Sequence, residues 1–229
     1  MGQNPGIGTR IRWPAGIAAA REIQERLAKK VRLGGGKRPP RLIAGVDAAY
    51  SGNRVFAAAC LFSFPSLEPV EEAFACMETR FPYVPGYLTF REGPAIVEAV
   101  LSLERKPDLI LVDGQGIAHP RGIGSASHIG VLLGIPTIGC AKSRLVGESA
   151  KPGRKKGDWT PLLFRGRAVG AVVRTRDGVR PLFVSPGHRI SRLRSVEIVL
   201  ASTASYRIPE PLRRADSLSK KLKRLEKFQ

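Results

Sequence analysis

Apolar and polar positions along the chain follow two periods, one helical and one extended. In IAAAREIQERLAKKVR (residues 17–32), Ile17, Ile23, Leu27 and Val31 fall at helical spacing, and the glycines and prolines of RLGGGKRPPR end the pattern. RLIAGVDAAYSGNRVFAAACLFSF predicts two strands joined at the turn cluster Ser51-Gly52-Asn53. PVEEAFACMETRF alternates more weakly and predicts a third strand. The next helix is predicted from about Gly93 to Arg105, with Ile96, Val97, Val100, Leu101 and Leu103 on one face; Lys106-Pro107 closes it before the apolar run Leu109–Val112. SASHIGVLLG then reads as a helix and IPTIGCAK as a buried strand.

The segment KPGRKKGDWTP (151–161) reads as a basic, turn-rich excursion. GRAVGAVVRTR and VRPLFVSPG predict two strands flanking Asp177-Gly178, a hairpin dipeptide. A helix around ISRLRSVEIVLAST and a basic segment, PEPLRRADSLSKKLKRLEKF, follow. Three antiparallel strands succeeded by strand–helix alternation predict an α/β fold, a ribonuclease-H-like mixed sheet flanked by helices. A Rossmann-type sheet shares much of this outline, but no GxGxxG follows the first strand. The 229 residues suffice for a single domain over 1–229, with an N-terminal helical arm (1–40) and a basic C-terminal helix (209–229).

Charge changes the picture most. Lys and Arg number 38 against 19 Asp and Glu, a net charge of +19. Richness in Arg, Gly and Pro also fits a compositionally biased genome, but the excess exceeds what solubility needs and points to a polyanion, above all nucleic acid. No apolar run approaches the roughly 20 residues of a spanning helix. The N-terminus lacks an apolar secretion core, so a cytoplasmic location is expected and no membrane partner. Cys60, Cys76 and Cys140 lie far apart and form no metal or disulfide pattern.

Against this background three carboxylates stand out. Asp47 interrupts the first apolar strand, and Asp113 ends the Leu109–Val112 run directly before Gly114 and Gly116. Glu92 is placed at the opening of the helix that leads into that run. Each has an ordinary reading: a turn or cap aspartate, or a helix N-terminal acid favoured by the dipole. If the first strand lies beside Leu109–Val112, however, all three reach one rim of the sheet. Carboxylates crowded there repel unless a cation sits between them, and hard oxygen donors without thiolates or paired histidines favour Mg²⁺ or Mn²⁺.

At these residues the sequence resembles the endonuclease V family, the deoxyinosine 3′-endonucleases. The resemblance runs through IAGVDAAY, PYVPGYLTFREGPAI, PDLILVDGQGIAHPRGIGSASHIGVLLGIPTIGCAKSRLVG, VSPGHRIS and YRIPEPLRRADSLS, about residues 41 to 219. It implies a ribonuclease-H-like fold and a Mg²⁺-dependent nick at the second phosphodiester bond 3′ to deoxyinosine, leaving 3′-hydroxyl and 5′-phosphate ends. The partner implied is DNA containing deoxyinosine; some relatives act on inosine in RNA instead.

Carried across by motif, Asp47, Glu92 and Asp113 resemble the metal-binding carboxylates, and Asp216 stands where the family has a fourth metal-site residue. Lys142, in GCAKS, resembles a lysine near the scissile phosphate; a plain surface lysine is the alternative. PYVPG resembles the family's wedge, with Tyr83 filling the gap of a base that leaves the stack and Pro82, Val84 and Pro85 stiffening the loop. Gly86, Leu88, Gly114, Gly116 and His119 resemble the lesion pocket, although His119 also fits a satisfied loop histidine. Two positions depart from the family's pattern: Ala48 follows the first aspartate, and Gln115 stands where histidine or asparagine is commoner. The rivals are an inosine-directed ribonuclease on the same site, a binding protein that has lost catalysis, and a glycine-loop nucleotide-binding enzyme, which the absent P-loop lysine pattern disfavours. The intact Asp47/Glu92/Asp113 set speaks against the second.

Overall fold

The structure is a computed structural model that describes residues 13–35 and 38–226; the start of the N-terminal arm, residues 36–37 and the last three residues of the basic tail lie outside the described residues. Among the described residues an eight-stranded sheet runs in the order β3-β2-β1-β4-β5-β8-β7-β6. Strands β1 (Leu42–Ser51), β2 (Arg54–Ser63) and β3 (Pro69–Glu78) form the expected antiparallel meander. β1 also pairs in parallel with β4 (Leu109–Val112), which pairs in parallel with β5 (Thr137–Ala141). β6 (Trp159–Phe164), β7 (Arg167–Val173) and β8 (Leu182–His188) complete the sheet, all antiparallel to their neighbours.

Helices cover both faces, and the alternation of β4 shows how. Ile110 and Val112 pack with α2 (Leu88–Leu101) and α3 (Ser125–Leu133) in one apolar cluster. Leu109 and Leu111 pack with α4 (Arg192–Ala201) and α5 (Glu210–Glu226) in another. A strand buried on both faces has no polar alternation, so LILV reads as a continuous apolar run. Each fully buried Leu or Ile contributes about 1.5–3 kcal/mol relative to exposure. The remaining helix, α1 (Ile17–Ala28), buries Ala20, Gln24 and Leu27.

Three expectations need correction. Helix α2 begins at Leu88 rather than near Gly93, so Glu92 lies inside it and does not open it. Gly93-Pro94 looks like a helix start because proline suits a first turn, yet the preceding turn forms because Thr89 and Phe90 are buried there. The supposed excursion at 151–161 already contains the start of β6, whose Pro161 is tolerated because the strand lies at the sheet edge. Around Asp177-Gly178 the two strands do pair, but the last register pair is Val173↔Leu182, so a wider loop replaces a two-residue hairpin.

Candidate active site

Asp47 and Asp113 meet because β1 and β4 are parallel and in register. Val46 pairs with Val112, so each aspartate is the next residue along its strand, and the Asp113 N–H donates to the Val46 carbonyl at 3.3 Å. Both continue the strand positions, Ile43 on one and Leu109 and Leu111 on the other, that pack toward α4 and α5. Asp216 arrives from α5 itself.

That helix can approach only because residue 45 is glycine. A Cβ there would sit 2.1 Å from the Pro211 carbonyl carbon and 2.5 Å from the Leu212 nitrogen. From that contact, four or five helical residues rise about 6–7.5 Å, and two strand residues advance about 6.6 Å. The two lengths match, and Asp216 is set beside Asp47. Carboxylate oxygens of Asp47, Asp113 and Asp216 all lie within 4.8 Å of one another. Glu92 belongs to α2, on the opposite face of the sheet, which explains why it stands outside this tight group while lining the same pocket.

Electrostatics mark the cluster as short of positive charge. Burial first, and then the Asp113 charge, raise the Asp47 pKa to about 7. Glu92, 8% exposed, is pushed well above the carboxylate range by burial and by the charges of Asp47 and Asp113. Partial burial also disfavours the Asp216 anion, but hydrogen bonds with Lys220 and Asp47 and the charges of Lys220 and Lys142 outweigh it and hold its pKa low. Lys142 Nζ lies 2.5 Å from Asp113 Oδ2 and 3.9 Å from Asp216 Oδ1, and Lys220 Nζ lies 2.7 Å from Asp216 Oδ2. Two half-exposed lysines against four acids leave the donor set suited to a divalent cation, and Asp47, Asp113 and Asp216 could hold one.

Beside the carboxylates is a pocket of about 390 Å³, within the range of small-ligand sites. Asp47, Glu92, Asp113 and Lys142 line it together with Tyr83, Val84, Pro85, Gly86, Leu88, Gly114 and His119. Tyr83 is 68% exposed at its mouth, free to meet a ligand. Pro82 and Gly116 lie outside the lining. Gly116 is instead a packing residue: a Cβ there would sit 2.2 Å from the Pro186 carbonyl oxygen, and its N–H donates to Ser185 Oγ at 2.7 Å. Gln115, the departure from the family's pattern, lines the pocket and donates to the Ser143 carbonyl at 3.0 Å.

Sequence reading missed Thr89, Ser125, Arg144 and Leu145, which also line the pocket. Thr89 Oγ1 and Ser125 Oγ are 3.1 Å apart, joining α2 to α3 where both line the pocket. Arg144 and Leu145 follow Lys142 closely enough to be inferred from it. The Thr89–Ser125 pair carried no signal, because α2 was expected to start after Thr89.

The endonuclease V family model matches residues 25–217, which include every residue of the carboxylate group and the pocket. The chain belongs to the endonuclease V family. Endonuclease V of Geotalea uraniireducens is 53% identical over 204 residues, covering 89% of this chain and 87% of the relative. The solved structure of endonuclease V from Streptomyces avermitilis is 44% identical with a TM-score of 0.90, covering 94% of this chain and 96% of that one. That of Ciona intestinalis endonuclease V, in complex with a 24mer DNA containing an inosine followed by a ribo-adenosine, is 28% identical with a TM-score of 0.80, covering 93% and 98%. The ribonuclease-H-like sheet and the nuclease class expected from the motifs both hold. Among the described residues no helix is long and apolar enough to cross a membrane.

Proposed function

We propose that the chain is a single-domain, cytoplasmic repair enzyme that nicks DNA at the second phosphodiester bond 3′ to deoxyinosine and related deaminated bases. The observation that carries this reading is the juxtaposition of a cation-ready carboxylate group with a base-sized pocket, in a chain of net charge +19. Asp47, Asp113 and Asp216 would hold Mg²⁺, with Mn²⁺ as a substitute, and Glu92 would complete the donor set from the other face of the sheet. A divalent cation bound there supplies the positive charge that stabilises the phosphate as negative charge develops on it.

The chain's own residues do the rest. Lys142, poised between Asp113 and Asp216, offers an ammonium to the scissile phosphate. Tyr83, with Val84 and Pro85 behind it and Pro82 stiffening the loop, replaces the stacking lost when the damaged base leaves the helix. Gly86, Leu88, Gly114 and His119 bound the space that receives the base, and Gly116 holds the loop of Gly114 against β8. Basic residues elsewhere neutralise backbone phosphates without reading sequence.

A second reading, an inosine-directed ribonuclease on the same site, is favoured by one observation: the oligonucleotide held by the Ciona relative carries a ribonucleotide after its inosine. Otherwise identical DNA and RNA strands, each with one inosine and supplied with Mg²⁺, separate the two. Faster nicking of DNA is expected. A tenfold preference for the RNA strand would replace the first reading with the second.

A further inference from the structure

The rim of the sheet opposite the carboxylates carries a second concavity, about 750 Å³ in volume. It opens where three strands begin: Arg41 directly precedes β1, Asp108 and Leu109 stand at the entry of β4, and Pro136 directly precedes β5. From Asp108 to Asp113 the chain advances about 16–17 Å at the rise of an extended strand. The cavity and the carboxylate cluster therefore occupy opposite ends of β4, and they share no residue, nor does the cavity share any with the pocket beside that cluster.

Two chemistries meet in this lining. Leu109, Ile190 and Ile198 form a buried apolar base, and Phe64, Pro65 and Pro136 add apolar surface that solvent still reaches. Arg38, Arg41 and Arg194 supply charge around it. Arg194 is engaged by Glu197 at 2.9 Å, but among the described residues the exposed guanidinium groups of Arg38 and Arg41 have no hydrogen bond or ion pair. Asp108, the acid in this lining, is already held by the backbone N–H groups of Arg41 and Leu42. Positive charge is thus left over beside an apolar surface.

We propose that this cavity docks an acidic peptide segment of a partner protein, one that carries an apolar side chain among its carboxylates. Guanidinium forks match carboxylates in two-point geometry, and clustered arginines are a recurring means of holding acidic motifs. The apolar base gives such a segment an anchor that charge alone would not. A volume within the range of small-ligand sites takes one or two side chains, not a double helix. A sugar–phosphate strand would satisfy the arginines and leave the apolar walls uncovered. A second copy of this chain, at net charge +19, brings mostly like charge. A partner held at the strand entries leaves the carboxylate rim free, so docking and nicking can proceed together. The proposal does not depend on which nucleic acid that rim cleaves.

The test measures fluorescence anisotropy of a labelled peptide of aspartates around one central phenylalanine, on the full chain at physiological ionic strength. The same peptide with serine in place of phenylalanine reports charge alone. The phenylalanine peptide is expected to bind about tenfold tighter than the serine one, the worth of burying part of an aromatic side chain. Arg41→Glu should weaken it about tenfold, whereas Lys151→Glu, the same change of charge on the segment before β6, should change it by less than about twofold, because distant charges are screened. Nicking by Arg41→Glu should stay within about twofold of wild type. Arg38→Ser serves in the same way, with about a fivefold loss of peptide affinity, if Arg41→Glu does not fold. Hydrogen exchange at the Phe64 amide, which donates to the Arg41 carbonyl at 2.8 Å, should slow when the peptide is bound. A wild type that treats the two peptides alike overturns the proposal, as does an equal loss in Arg41→Glu and Lys151→Glu. A single-stranded oligonucleotide that displaces the peptide and is weakened equally by Arg41→Glu would assign the cavity to nucleic acid instead. A dimer of this chain that dissociates in Arg41→Glu would assign it to a second copy, and either result overturns the proposal.

Discussion

Two aspartates bracket the four residues of β4, and their surroundings could hardly differ more. At the entry, Asp108 Oδ2 accepts the backbone N–H groups of Arg41 at 2.8 Å and Leu42 at 3.0 Å. Arg38, Arg41 and Arg194 line the cavity beside it, and among the described residues no other acid joins that lining. At the exit, Asp113 shares a 4.8 Å space with Asp47 and Asp216 and has Lys142 as its one side-chain hydrogen-bond partner among the described residues. Both are strand-end aspartates in sequence. What separates a clamp from a reactive group is the source of its compensating charge: backbone donors fix Asp108 permanently, whereas the acids around Asp113 leave a deficit for a cation to fill.

The largest effect expected from breaking this contrast is on nicking. Asp113→Ala should reduce it at least a hundredfold, roughly 2.7 kcal/mol of barrier or more. Asp108→Ala should leave the rate within twofold and instead lower Tm by a few degrees, because two charge-assisted hydrogen bonds worth about 1–2 kcal/mol are lost. Steady-state nicking and a thermal melt on the two variants decide it, and reversed outcomes would dissolve the distinction.

A second effect concerns the stability that the crowded end gives up. The folded pKa of Asp47, about 7, lies above its ordinary 3.8. Its contribution to stability is therefore complete below about pH 4 and is lost as pH rises through 7. Asp47→Asn keeps the contact with the Ala48 N–H, now made to the aspartate oxygen at 2.8 Å, while removing the charge. Without divalent cations, the variant should melt higher than wild type, by about 5 °C at pH 8 and by much less at pH 5. Added Mg²⁺ should raise the wild-type Tm and close the gap. A gap that shrinks with rising pH would have the wrong sign for this account.

The smallest effect is at the exposed rim. Tyr83→Ala should weaken binding of inosine-containing DNA by about 1–3 kcal/mol, the worth of one stacked base, while barely changing affinity for an undamaged duplex. Equal losses on both would make Tyr83 a simple contact residue.

How much of this was legible depended on whether a feature was written in one segment or across several. The strands followed from short apolar runs, and the meeting of Asp47 with Asp113 was expected on the condition that β1 lies beside β4, which the parallel register fulfils. Asp216 was reached through the resemblance of RRADSLS, but the reason it fits, a glycine at 45 that lets α5 lie on β1, is visible only in three dimensions. Glu92 was correctly brought to the same rim and wrongly set at a helix start, since Gly93-Pro94 imitates one. Gly116 was set in the pocket by the resemblance, yet its missing side chain makes room for the Pro186 backbone. The hydrogen bond from the Gln24 side chain to the Gly86 carbonyl spans 62 residues and has no local signature.

The most direct test is a count of bound Mn²⁺ by electron paramagnetic resonance on wild type, Asp113→Ala and Asp108→Ala, with folding checked by melting. Wild type and Asp108→Ala are expected to bind Mn²⁺ alike, and Asp113→Ala to lose it together with nicking. An Asp113→Ala protein that binds Mn²⁺ as wild type does would contradict the assignment of this carboxylate cluster as the metal centre.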